Sequence, residues 1–180
     1  GRATRAAAFA EAETKEYVAA FRPGIVTDTQ DITGNLLRSS DVLPSEEDVR
    51  AALPRFTGEI EQIPPMYSAI KVNGQKLYDL ARQGKEVARK PRRITIYDLA
   101  LTEELGNGQY ALRVECSKGT YIRTLCHDLG EYLGCGGCMA ALRRTRSGSF
   151  SVENARRIGE LTRADRDTLL PVSYTHLTLP

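Results

Sequence analysis

No stretch of the 180-residue chain approaches the roughly 18 consecutive apolar residues that a membrane-spanning helix needs. The first residues, Gly1-Arg2-Ala3-Thr4-Arg5, lack the apolar core of a secretory signal. A cytoplasmic protein with no membrane contact is the expectation. The chain also lacks an initiator methionine and starts in mid-pattern, which reads as a truncation point. Strong net charge is missing as well: 25 Lys and Arg against 23 Asp and Glu leave +2, which does not by itself indicate a polyanionic partner. There is no internal repeat and no low-complexity linker. With 41% hydrophobic and 27% charged residues, the composition is that of one ordinary globular domain.

Histidine is scarce. His176 falls in the uncharged stretch 172–180, which reads as translated sequencing adapter and is set aside, leaving His127 as the one candidate. Cys135-Gly136-Gly137-Cys138 has the C-x-x-C spacing of zinc and redox sites. The other cysteines argue against both. A four-cysteine zinc site needs a second close pair, whereas Cys116 falls on a strand face and Cys126 on a helical apolar stripe. No βαβ start precedes the motif, as a thioredoxin-like site would require. The cysteines are expected to be reduced core residues, with no metal.

Charge is unevenly distributed. Acids dominate from 41 to 61, whereas Arg82, Lys85, Arg89, Lys90, Arg92 and Arg93 follow one another with Glu86 alone between them. Arg143, Arg144 and Arg146 form a second basic cluster. Positive charge is thus gathered in the C-terminal half, where phosphates can be met.

Alternation over 14–21 predicts a strand with Lys15, Tyr17, Ala19 and Phe21 on one side, ended by Pro23-Gly24. Residues 27–34 are turn formers whose side chains bond their own backbone, so Asp28 and Asp31 read as turn residues. Ser45 before Glu46, Glu47 and Asp48 predicts a helix start, with Val49, Ala52 and Leu53 buried. Pro64-Pro65 stiffens the approach to 66–72, which Asn73-Gly74 closes as a turn, and Leu77, Leu80 and Ala81 mark a short helix capped by Gly84. Strands are predicted over 94–101 and 109–116, joined by Gly106-Asn107-Gly108. A helix starts at Thr120 as N-cap and carries Ile122, Leu125, Cys126, Leu129 and Leu133 until Gly134. A short helix over 139–143 and a strand near 150–152 follow. Tight turns between consecutive strands favour an α+β fold, a mixed, largely antiparallel sheet with flanking helices.

Arg123 is the most informative position. With Thr120 as N-cap it is the third helical residue, where the helix dipole favours an acid, so a cation there asks for an anionic partner. Ser117-Lys118-Gly119-Thr120 is a flexible turn with a second cation, and Tyr121 stands beside it. Together they form one wall of a site for an anion and a planar ring. Tyr17 has the ordinary option of packing in its strand, yet Lys15-Glu16-Tyr17 also places a ring beside a cation.

Several segments together resemble the bacterial tRNA pseudouridine synthase family over nearly all of residues 1–171. They are Gly1-Arg-Ala-Thr-Arg5, Lys15-Glu-Tyr17, Thr27-Asp-Thr-Gln-Asp31 through Gly34, Ile63-Pro-Pro-Met-Tyr-Ser-Ala-Ile-Lys71, Gly74-Gln-Lys-Leu-Tyr78, Ala81-Arg-Gln-Gly84 and Cys116-Ser-Lys-Gly-Thr-Tyr-Ile-Arg-Thr124, completed by Leu129-Gly130 and Leu142-Arg-Arg144. The resemblance implies that Tyr17 stacks on the flipped uracil of the tRNA T loop and is a candidate to take a ribose proton. Arg123 would pair with the catalytic aspartate, and Tyr121, Leu142 and Lys118 would bind the uridine. Residues 63–93 would be an insertion that pinches the T stem-loop, with Lys71, Arg82, Lys85, Arg89, Lys90, Arg143 and Arg144 meeting RNA. The family reaction uses no metal or cofactor, and a monomer is expected. The nucleophilic aspartate would lie upstream of residue 1, so this chain is expected to be inactive alone. The small C-terminal RNA-binding domain that many members carry is not recognised in it. The alternatives are an RNA-binding module without catalysis and a cysteine-based redox or zinc protein.

Overall fold

The computed structural model describes residues 13–155 and 157; the motif at 1–5, the segment 161–170 and the tail 172–180 lie outside the described residues. In chain order the elements begin with β1 (Thr14–Pro23), β2 (Ile25–Thr27), β3 (Leu36–Ser39), α1 (Glu46–Ala52) and β4 (Gly58–Gln62). A hairpin of β5 (Lys71–Val72) and β6 (Gln75–Lys76) then leads into α2 (Leu77–Arg82). The chain continues through β7 (Arg92–Gly106), β8 (Gln109–Ser117), α3 (Ile122–Tyr132), β9 (Gly137–Ser147) and β10 (Phe150–Ser151).

The alternation seen in 14–21 makes β1 an interior strand. It pairs antiparallel with β8 on one side and with β9 on the other, in a six-stranded sheet of order β10-β9-β1-β8-β7-β4. Every pairing in that sheet is antiparallel. Ala19 and Phe21 of β1, Leu112 and Val114 of β8 and Ile96 of β7 are buried on one face. There they pack against Ile122, Leu125, Cys126 and Leu129 of α3 and Val49 and Ala52 of α1. On the other face Glu16, Asp98, Arg113, Glu115 and Arg146 form cross-strand ion pairs, with Arg113 Nη2 2.7 Å from Asp98 and Arg146 Nη2 2.8 Å from Glu115. This is the α+β, largely antiparallel architecture with flanking helices expected from the residues.

One predicted element is overturned. Residues 139–143 are good helix formers, but they belong to β9, where Met139, Ala141, Leu142 and Arg143 sit opposite Phe21, Ala20, Ala19 and Val18. Pairing along β1 satisfies this backbone, and that tertiary demand outweighs a propensity worth a few tenths of a kcal/mol per residue.

The start of α3 is also shifted. Tyr121, not Thr120, is the N-cap, because the Thr120 hydroxyl donates to the Ser117 carbonyl at 2.9 Å and closes the turn at Gly119. Arg123 is therefore the second helical residue. Further along α3, Gly130 lies so close to β9 that a Cβ there would fall 2.2 Å from the Gly137 nitrogen.

Candidate active site

The turn after β2 is tied down at several points. The Ile32 N–H donates to the Met139 carbonyl at 2.9 Å and the Met139 N–H to the Gln30 carbonyl at 3.0 Å, which joins the turn to β9. The Gln30 side chain accepts from Thr124 Oγ1 of α3 at 2.7 Å. Within the turn, Thr27 Oγ1 donates to the Asp31 carbonyl at 2.7 Å and the Thr33 N–H to Asp31 Oδ1 at 3.0 Å. Asp28 does turn work throughout, accepting from the Asn35 N–H at 2.8 Å and from its side-chain amide at 2.9 Å.

Asp31 does more, which corrects its assignment to the turn alone. Its Oδ1 serves the turn, but its Oδ2 faces Arg123 Nη1 at 3.4 Å, with both side chains at least three-quarters covered. Arg123 Nη2 donates to the Tyr67 carbonyl at 2.7 Å. The cation that asked for a partner has one in Asp31, and a second contact in the segment that opens the insertion. The Asp31 role was missed because its local pattern is that of an Asx turn, and nothing local shows that one carboxylate oxygen remains available to α3.

Tyr17 sits at a register shift of β1 against β9, opposite Arg144, and packs partly buried against the core that α3 covers. Burial pushes its phenol above the ordinary value of 10.0; Cys116 adds to this, and the Arg144 guanidinium opposes it. Leu142, opposite Ala19 on β9, is exposed on that strand. Arg143 pairs with Val18 instead, so strand alternation sends it to the ion-paired face, away from Tyr17 and Arg144. Tyr121 is half-buried, and both its main-chain groups are bonded by the Gln62 side chain. Lys118 is paired with Glu13 at 2.7 Å.

In the insertion, Lys71, Arg82, Lys85 and Lys90 are exposed. Two cations flank the Tyr78 ring: Lys76 Nζ at 5.2 Å, also bonded to its hydroxyl, and Arg82 Cζ at 5.4 Å. Lys76 and Tyr78 escaped the reading of the sequence as an interacting pair, although both stand in the Gly74–Tyr78 motif. Arg89 is turned inward, with Nη1 donating to the Pro64 carbonyl at 3.2 Å and Nη2 bonded to Glu86 at 3.0 Å.

All four cysteines are buried. Burial pushes the Cys138 thiol up to about 11 and raises Cys126 as well, so neither is poised as a thiolate. Among the described residues, no three His, Cys, Asp or Glu side chains are grouped to hold a metal ion. No helix among them is long and apolar enough to cross a membrane.

A central, largely antiparallel sheet with helices packed on one face is the fold that this chain shares with solved pseudouridine synthases. A solved Cbf5–Nop10–Gar1 complex matches it with a TM-score of 0.60 and 32% identity, over 84% of this chain and 35% of that one. An H/ACA ribonucleoprotein bound to a substrate RNA containing 2'-deoxyuridine matches with a TM-score of 0.55 and 28% identity, over 84% and 33%.

The chain belongs to the TruB family of pseudouridylate synthases: the model described as the family's N-terminal domain matches residues 1–122. A second, described as the tRNA pseudouridylate synthase B C-terminal domain, matches 123–172. The described residues of the second match include β9 and β10, which complete the sheet of the first. The chain is 48% identical over 176 residues to tRNA pseudouridine synthase B of Alkaliphilus oremlandii, covering 97% of this chain and 58% of that protein. It is 44% identical over 186 residues to the protein of that name from Syntrophomonas wolfei, covering 100% and 62%. The chain thus spans about three-fifths of the length of these curated relatives.

Proposed function

We propose that this chain is the catalytic part of a tRNA pseudouridine synthase that converts the T-loop uridine of tRNA to pseudouridine. The observation that carries the reading is Arg123, held between Asp31 and the Tyr67 carbonyl on the side of the sheet where Tyr17 packs. The reaction breaks the bond from ribose C1' to uracil N1, turns the base, and joins C1' to C5; C5 gives up its proton to solvent and the freed N1 takes one up, so the product is an isomer of the substrate. Tyr17 supports the extruded uracil by stacking, worth about 1–3 kcal/mol, and as a neutral phenol it adds no charge against the ring. Arg123 orients the carboxylate that attacks C1', and Tyr121 and Leu142 bound the uridine.

The exposed cations Lys71, Arg82, Lys85 and Lys90 meet the phosphates of the T stem-loop, and the insertion holds the loop by shape. On this reading the protein works in the cytoplasm as a monomer, without metal or cofactor.

Tritium release from a T-stem-loop RNA carrying 5-tritiated uridine tests the proposal, using the chain as given and a version extended by a family-derived upstream segment. Release only from the extended version places the nucleophile in that segment and leaves the chain alone inactive. Release from the chain as given places it within these residues. Salt-dependent binding with no release from either version favours an RNA-binding module.

A further inference from the structure

Gln62, the last residue of β4, is 2% exposed, and both polar atoms of its side chain are used on one other residue. Its Oε1 accepts from the Tyr121 N–H at 2.8 Å, and its Nε2 donates to the Tyr121 carbonyl at 3.1 Å. That carbonyl also accepts from the Leu125 N–H at 3.1 Å, a main-chain bond of the first turn of α3. A helix start is ordinarily fixed by a short polar side chain at the N-cap. Tyr121 makes no such bond, and the Thr120 hydroxyl is engaged with Ser117. The amide of Gln62, reaching in from another strand, supplies the constraint instead.

The consequence extends to Arg123. From Gln62 the path runs to Tyr121, along the first turn of α3 to Arg123, across its bond to the Tyr67 carbonyl, and back along the chain to Gln62. Arg89, through its bond to the Pro64 carbonyl, ties the returning end of the insertion into the same ring. We propose that Gln62 is a positioning residue for the isomerisation: it holds Tyr121 and Arg123 in register with the root of the insertion. This inference rests on the function proposed above. An amide suits the task because it donates and accepts at once, whereas an apolar side chain of equal length strips the Tyr121 N–H of its partner and leaves the carbonyl with the Leu125 N–H alone.

Gln62→Met removes both bonds at constant length, and Gln62→Asn keeps the amide but shortens its reach. Hydrogen exchange on the chain as given reads the positioning. Both variants should speed exchange at Tyr121–Thr124 and around Tyr67, with β1 and β8 unchanged. Single-turnover tritium release, in whichever version is active, reads the function. The rate should fall about tenfold or more while affinity for the T-stem-loop stays within about twofold. Exchange that rises only in β4 and β7, or throughout the sheet, overturns the inference. So does an unchanged rate in a variant whose Tyr121–Thr124 exchange has risen. If the parent releases no tritium in either version, the proposed function fails, and the exchange result alone decides whether Gln62 holds Tyr121 and Arg123.

Discussion

Arg123 Nη1 lies 3.4 Å from Asp31 Oδ2 while Nη2 holds the Tyr67 carbonyl at 2.7 Å, so one guanidinium joins the turn after β2 to the insertion. The longer contact is the adjustable one. Asp31→Asn keeps the shape, and the bond from Thr33, but removes the charge that steadies the cation. Its single-turnover rate should fall about tenfold to a hundredfold, with a melting temperature within a few degrees of the parent. Arg123→Ala should fall further. A rate for Asp31→Asn within about twofold of the parent would remove Asp31 from the site.

Tyr17 offers a pH prediction with a definite sign. Its phenol is raised above 10.0, chiefly by burial, so it is protonated across the neutral range. Working as the neutral phenol, Tyr17 should leave the pH–rate profile without a rise below about pH 10, whereas a phenolate that takes the ribose proton would make the rate climb with pH through that range. Tyr17→Phe keeps the ring, so RNA affinity should hold within about threefold while the isomerisation rate drops. An undiminished rate in that variant would restrict the residue to stacking.

Gly130→Ala separates propensity from packing. Alanine gains about 1 kcal/mol in an isolated helix. Here its Cβ would meet Gly137 N at 2.2 Å and Gly136 C at 2.3 Å, which are backbone atoms of the chain leading into β9. The substitution should destabilise by about 3 kcal/mol or more, as read from urea unfolding. A stability gain would show that α3 and β9 are further apart.

Cys138 is fully buried, and its thiol is raised from 9.0 to about 11. A proton held more tightly in the folded state gives stability that is complete below pH 9 and is lost as pH climbs from there toward 11. The loss should reach at most about 3 kcal/mol, seen as an alkaline fall in unfolding free energy that Cys138→Ala makes shallower.

The basic residues divide by exposure. Replacing exposed Lys71, Lys85 or Lys90 with alanine should each reduce the slope of log affinity against log salt by about 0.7 for a single-stranded contact. Arg89→Ala should instead lower the melting temperature, because that guanidinium braces Pro64 and Glu86. A slope change at Arg89 equal to those at the lysines would show that it reaches RNA directly.

The residues that were legible in the sequence are those whose signal is local. The alternation around Tyr17 sets a strand and its buried side, Asn73 and Gly74 adopt the positive φ that their hairpin requires, and Arg123 is conspicuous because a cation sits badly at a helix start. Tyr121 stands out locally beside the Gly119 turn, whereas the role of Leu142 rests on the resemblance alone. What stayed hidden depends on contacts between distant segments. The 139–143 stretch has helical residues and becomes a strand only because β1 lies beside it. Asp31 looks like any turn aspartate until α3 packs nearby. Gln62 has no periodic or motif signal, and its importance lies wholly in a main chain that arrives much later in the sequence.

The placement of β1 between β8 and β9 also bears on how the protein is made. Tyr17 and its neighbour Arg144 stand more than a hundred residues apart, so Arg144 is synthesised long after Tyr17. At about 5–20 residues per second that interval is on the order of ten seconds. Until Val114 of β8 follows, the strand has no hydrogen-bonding neighbour, and until Arg144 it lacks β9, so its open sides invite pairing with other nascent chains. The tyrosine on which the uracil would stack is translated well before the strands that surround it.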